Sequence, residues 1–282
     1  MATEPLENSS APRFTLPSLI VLLAVIALVI GILIPMVGAS REAARLTQCS
    51  NNLREIGMAL RQYQTSNAIL PAAFTSDPAG RPLHSWRTPL LPFMEQLGTG
   101  EDDLGAYYGR LHWNEPWDSP SYSRLRAERF PFFICPDDNA ASEHNNTSYL
   151  AVSGAGTTWP GRTAARLPSS GEGATETVLL VEAADSSIHW MEPRDLSLDG
   201  LDCRLNGSST PGISSKHANG VNILFADASV RCLPRDTPAS NIETMLTNRN
   251  SEGRLKTELE QGKEPRVDHP QTPPASEKPT GG

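Results

Sequence analysis

Residues 19–34, LIVLLAVIALVIGILI, contain no charged and no polar side chain, and thirteen of the sixteen are Leu, Ile or Val. No other feature limits the fold so strongly. As helix, residues 16–37 cover about 33 Å, enough for a hydrocarbon core of about 30 Å. A helix buried in a water-soluble core is rarely apolar on every face, so the run predicts a membrane-inserting helix over 14–37. Val37-Gly38-Ala39 also has the small-residue spacing of a signal-peptidase site, with Ser40 as the new N-terminus. The length of the run and its single preceding cation, Arg13, favour a retained anchor over a cleaved leader.

The pattern then changes without a linker. Leu46, Cys49, Leu53, Ile56, Leu60 and Tyr63 recur at steps of three and four, one stripe of an amphipathic helix. Arg41, Glu42, Arg45, Arg54, Glu55 and Arg61 lie off that stripe. The spacing predicts a stem helix over 38–66, bent at Pro35 and ended between Asn67 and Pro71. Its apolar face needs a partner.

Further along, strand-like runs occupy residues 147–153, 177–183, 188–191, 221–225 and 229–233. The last two flank Ala226-Asp227-Ala228 and read as a hairpin. Trp86, Trp113 and Trp117 lie in the loop-rich stretch before these runs and are expected to close a small core. Helix followed by strands gives an α+β class, with the stem stripe packed on an antiparallel sheet with long loops. The loops account for 21 Gly and 24 Pro. Residues 67–250 make up the domain, and the polar, Pro-rich segment 251–282 reads as a disordered tail.

A net charge of −8 without a basic tract argues against a nucleic-acid partner. Charge around the apolar run gives a weak orientation signal. Arg41, Arg45 and Arg54 follow it, whereas Arg13 before it is offset by Glu4 and Glu7. Counting alone would put the body in the cytoplasm. The four cysteines, Cys49, Cys135, Cys203 and Cys232, form no Cys-x-x-Cys pair, so zinc-site spacing is absent and no metal or other cofactor is expected. Outside the cytoplasm they could instead form one or two disulfides. No hydrolase, nucleotide-binding or metalloprotease motif occurs, so no catalytic residue is assigned and the chain is not expected to be an enzyme. Glu182, at the end of VLLVEAA, reads as a solvated or ion-paired strand terminus. Glu115 and Asp118 in NEPWDSP read as a capped turn before a calcium loop.

The order of segments carries a resemblance. An FTL start, the apolar run, Pro35, QCSNNLREIGMAL, SWRTPLLPFMEQ, NEPWDSP, Cys135-Pro136-Asp137, YLAVSG and His217-x₉-Asp227 follow one another. Together they resemble a prepilin-like bacterial family of unknown function whose C-terminal signature is His, nine residues, Asp-Gly. That resemblance implies an N-terminus like that of type IV pilins and pseudopilins, lying in the cytoplasm. It also implies a single-pass inner-membrane helix continuing as a stem, an extracytoplasmic domain, and pilin-like subunits as partners through the anchor. It outweighs the charge count.

Three positions depart from the pattern. Prepilins carry Gly before the cleaved bond and Glu at the fourth residue after the Phe; around Phe14 these places hold Arg13 and Ser18. Arg13 should impair processing, and Ser18 removes the buried carboxylate that would pair with a neighbouring subunit's N-terminal amine. Ala228 stands where the signature has Gly, a position suited to positive φ. His217 and Asp227 are read as structural, holding the hairpin and the loop that leads into it. The resulting expectation is an unprocessed, pilin-like structural or assembly component of the envelope. The alternative is a membrane-tethered extracytoplasmic module binding a protein, glycan or small solute.

Overall fold

A computed structural model of the chain describes residues 16–96, 108–167 and 172–247, without the side chains of Ser18, residues 32–37, Ala39, Glu95, Gln96 and Glu172. Arg13, Phe14 and the tail from 251 lie outside the described residues.

Helix α1 (Leu16–Asn67) is 52 residues long. Pro35 lies within it. The chain divides into two compact units, Met1–Ala44 and Arg45–Gly282. In the first unit α1 exposes large apolar side chains, among them Leu16 at 74%, Val21 at 62% and Leu28 at 65%. Among the described residues no helix is long and apolar enough to cross a membrane. The apolar stretch with described side chains ends at Gly31, about 24 Å along the helix from Leu16 and short of a ~30 Å core.

Among the described residues of the second unit, eight strands appear: β1 (Phe74–Ser76), β2 (Pro82–Ser85), β3 (Tyr149–Leu150), β4 (Val152–Ser153), β5 (Val178–Glu182), β6 (Leu196–Ser197), β7 (Val221–Phe225) and β8 (Val230–Leu233). The main sheet has the order β3-β5-β7-β8 and is antiparallel throughout. β1 and β2 form an antiparallel pair, and β4 and β6 a short parallel one. The fold is therefore mixed helix and sheet, mainly antiparallel.

β5 and β7 are buried at every position, because both faces of the sheet are covered. Side chains alternate along a strand, so Leu180 and Glu182 share a face with Asn222 and Leu224 of the neighbouring strand. Residues 49–60 of α1 cover that face: Cys49, Leu53, Ile56 and Leu60 are fully buried, and Leu53, Ile56, Leu180 and Leu224 belong to one core cluster. Gly57 permits the close approach. A Cβ there would lie 2.8 Å from Leu224 Cδ1 and 3.2 Å from Ala228 Cβ. Val181, Val221, Ile223 and Phe225 point to the opposite face, into a second cluster with Ile242 and Leu246 of the helix Ala239–Leu246. Trp86 is fully buried, and Trp113 and Trp117 pack half-buried against the first cluster.

Two expected strands differ. The run 147–153 splits at Ala151, whose N–H donates to the Asp195 carboxylate at 2.9 Å rather than to a strand. Ala151's carbonyl accepts from Leu196, and the chain changes partner from β5 to β6. Residues 188–191 form no strand. They follow turns with positive φ at Asp185 and Ser187, and only the isolated bridge Asn146↔His189 remains.

The hairpin over β7 and β8 is present with a three-residue loop. Ala228 N donates to Phe225 O at 2.9 Å and Phe225 N to Ser229 O at 2.9 Å. Ala228 takes φ +66°, the left-handed region that glycine fills without strain.

Candidate functional site

The inner face of the sheet carries an unusual group of side chains. Donor atoms of Cys49, Cys135, Glu182 and His217 all lie within 4.8 Å of one another, and all four residues are buried. Each arrives on a different element. Cys49 occupies the stem stripe one turn before Leu53, where an apolar residue would do for packing alone. Cys135 follows the 3₁₀ turn Pro131–Phe133. Its N–H donates to Ser148 Oγ at 3.0 Å, and Asn52 from the stem donates to the neighbouring Ile134 carbonyl at 2.9 Å. Glu182 ends β5. His217 sits in the loop before β7, with its N–H donating to Ser215 Oγ at 3.1 Å and its carbonyl accepting from Arg235 at 2.7 Å.

Cys49 Sγ donates to Glu182 Oε1 at 3.3 Å, and Cys135 Sγ lies 3.2 Å from His217 Nε2. His217 Nε2 is 3.8 Å from Glu182 Oε1. The second carboxylate oxygen, Oε2, accepts from the backbone N–H and the side-chain amide of Asn222, both at 3.1 Å. Cys49 Sγ in turn accepts from Tyr149 OH at 3.3 Å and Asn222 Nδ2 at 3.5 Å. On the far side of the imidazole, Nδ1 lies 2.8 Å from Asp137 Oδ2, an ion-pair contact without hydrogen-bond alignment. Asp137 also pairs with Arg45. The hydrogen bond shared with Cys49, followed by burial, pushes the Cys135 thiol well above its ordinary range. Burial does the same to the Tyr149 phenol.

Thiol, imidazole and carboxylate in sequence, Cys135–His217–Asp137, also form the skeleton of a nucleophilic set. Its thiol faces Cys49 and Glu182 inside the core. A cleft of about 440 Å³ lies elsewhere, lined by Phe74, Asp77, Trp113, Asn114 and Arg162 among others. What the buried group can do is hold an ion: two sulfurs, an imidazole nitrogen and a carboxylate oxygen are metal-binding chemistry.

The sequence-based candidates fall in different places. His217 and Asp227, separated by nine residues in the signature, do separate work. Asp227 caps the hairpin turn, accepting from Ser229 N at 2.9 Å and Ser229 Oγ at 2.6 Å. His217's side chain instead enters the buried group, and only its backbone ties to β8's far end through Arg235. All four cysteines are free thiols in the structure. Cys49 and Cys135 are engaged with Glu182 and His217, Cys203 is half-buried, and Cys232 is exposed. Ser18 lies within α1, and Arg13 and Phe14 fall outside the described residues. Glu115 caps its turn, accepting from Ser119 Oγ at 2.9 Å and from Ser121 Oγ. Glu182 ends β5 with His217 Nε2 3.8 Å from its Oε1, so of the two expected states, solvated or ion-paired, the solvated one does not apply. Glu182 is fully buried. Asp137 and Tyr149 lie in segments that carry the family resemblance, but nothing in the sequence placed them beside His217 and Cys49, and Asn222 carried no signal beyond being a polar residue in an apolar strand.

No curated protein and no solved structure gives a significant match to the chain. A family model described as a protein of unknown function (DUF1559) matches residues 38–178. That span starts before the stem stripe, takes in Cys49 and Cys135, and reaches the first residue of β5. The chain therefore belongs to this bacterial family of unknown function, DUF1559.

Proposed function

We propose that this protein is a membrane-anchored, pilin-like component of the bacterial envelope with a structural or assembly role. The observation that carries the reading is the division of labour within α1. Its first part exposes Leu16, Leu19, Ile20, Val21, Leu22 and Leu23, side chains that cost about 1.5–3 kcal/mol each to keep in water rather than in an apolar medium. From Cys49 on, the same helix buries one stripe against a sheet. The described side chains alone fall short of a span, but the apolar sequence continues through Val37 and the backbone stays helical there. With those residues the segment reaches about 33 Å, the length of a bilayer core. Arg13 and Ser18 mark the anchor as unprocessed, with its N-terminus in the cytoplasm and residues 67–250 outside the inner membrane.

A second reading, a tethered module that binds a solute or glycan, is favoured by the 440 Å³ cleft. There Trp113 and Phe74 offer apolar faces, and Asp77, Asn114 and Arg162 offer polar contacts.

The test uses the full chain in a bacterial host. The expected result is a protein that resists alkaline extraction from membranes, keeps the mass of the uncleaved chain, and is digested by protease added outside spheroplasts. Cross-linking through cysteines introduced between residues 20 and 30 should give a ladder of oligomers. Release into the soluble fraction would overturn the anchor. A chain beginning at Phe14 would overturn the lack of processing. A strictly monomeric anchor that retains a ligand in the cleft would favour the second reading.

A further inference from the structure

We propose that Cys49, Cys135, Glu182 and His217 bind one zinc ion, and that this ion locks the stem helix to the sheet. The inference is independent of whether the protein is pilin-like.

Distances support a tetrahedral centre. Donor atoms about 2.0–2.3 Å from a common ion at tetrahedral angles stand about 3.3–3.8 Å apart. The contacts Cys135 Sγ–His217 Nε2 at 3.2 Å, Cys49 Sγ–Glu182 Oε1 at 3.3 Å and His217 Nε2–Glu182 Oε1 at 3.8 Å already lie near those edges. The other separations lie within 4.8 Å, so the four atoms draw together as they close on an ion.

The surrounding groups orient each ligand. Asp137 beside Nδ1 favours the proton on that nitrogen, leaving the Nε2 lone pair toward Cys135 and Glu182. Asn222 occupies Oε2 of Glu182 with two N–H groups, so Oε1 is the oxygen left to coordinate. Tyr149 and Asn222 donate to Cys49 Sγ and so fix the sulfur's position beside Glu182.

Ligand type selects the ion. Two sulfurs exclude magnesium and calcium, and a mixed sulfur, nitrogen and oxygen set of four is that of zinc. Four protein ligands, all buried, leave no open position, so the ion is structural rather than catalytic. Binding would release the thiol protons of Cys49 and Cys135 and balance the charge of two thiolates and one carboxylate against the dication. Without an ion, the core holds a carboxylate, an imidazole and two thiols away from water, an arrangement that costs free energy.

The experiment takes the full chain, extracted in mild detergent and dialysed against metal-free buffer, and measures metal content and thiol reactivity. The expected result is one zinc per chain. Cys203 and Cys232 should react in the native protein, and Cys49 and Cys135 only after unfolding with a chelator. Exchange for cobalt should give visible bands of a tetrahedral site and a thiolate-to-cobalt charge-transfer band. C49S and C135S should lose the zinc, and C232S should keep it. If the first two variants do not fold, the cobalt spectrum of the unmodified chain decides. Folded protein with zinc well below one ion per chain and four free thiols overturns the proposal. A Cys49–Cys135 disulfide in protein taken from cells, or full occupancy by a different ion, does so as well.

Discussion

Arg87 Nη2 donates to Asp195 Oδ1 at 2.6 Å, with the arginine side chain wholly buried and the aspartate nearly so. Around this pair, Trp86 Nε1 donates to Asp195 at 3.1 Å and Ala151 N at 2.9 Å, while Arg87 also reaches Ser85 Oγ at 2.7 Å and Tyr149 O at 3.0 Å. The pair thus joins the loop after β2 to the break between β3 and β4. Removing one charge leaves the other stranded in the core. Asp195→Ala should therefore cost about 3–5 kcal/mol of stability. Replacing both, Arg87→Met with Asp195→Leu, should recover much of that loss. Denaturant unfolding of the full chain in detergent, followed by tryptophan fluorescence, measures both variants.

Ala228 sits at φ +66°, which an L-residue adopts at a cost of roughly 1 kcal/mol. Ala228→Gly should raise stability by about 0.5–1 kcal/mol, and Ala228→Val should lower it. Equilibrium unfolding of the two variants gives the sign directly.

Gly57 meets that same turn from the stem. In a free helix Gly→Ala gains about 1 kcal/mol. Here the new methyl would lie 2.8 Å from Leu224 Cδ1, within a filled core, and 3.2 Å from Ala228 Cβ. Overpacking wins, and Gly57→Ala should destabilise by about 1–2 kcal/mol net. Because one of its clashes is with Ala228, the double variant with Ala228→Gly should lose less than the sum of the singles. A double-mutant cycle reads that coupling.

His84 is buried with its ring edge-on to Trp113 at 5.2 Å and Tyr122 at 5.5 Å. Burial lowers its pKa to about 4, against about 6.5 in an unfolded chain. The folded protein holds it neutral, so its contribution is fully present above about pH 6.5 and is lost as pH falls toward 4. The loss amounts to about 3 kcal/mol. His84→Phe should flatten the stability profile across that window, whatever it does to stability at neutral pH.

The stem stripe and the β7–β8 hairpin were legible because each is local. Spacing of three and four, or alternation around a tight loop, suffices to show them. Trp86 could likewise be placed in a core. Its partner Asp195 could not, and with it went the split of the 147–153 run, since a single side chain took the N–H that Ala151 would have given to a strand. The buried donor group was hidden for a similar reason. Residues 49, 135, 182 and 217 come from a helix, a turn, a strand and a loop, so no spacing rule applies. The available clue was compositional: a cysteine on an apolar stripe, and a glutamate ending an apolar strand.

The stem's bonds to the rest of the domain reach far along the chain. Cys49 joins Glu182 across 133 positions, Arg61 joins the Ala226 carbonyl across 165, and Asn222 joins Cys49 across 173. Synthesis runs from the N-terminus, so the apolar stripe is made first and its cover last. Until residue 225 has emerged, Leu53, Ile56 and Leu60 have no sheet to lie on. The stripe is therefore made long before its cover is complete, a consequence of contacts that join residues so far apart in sequence.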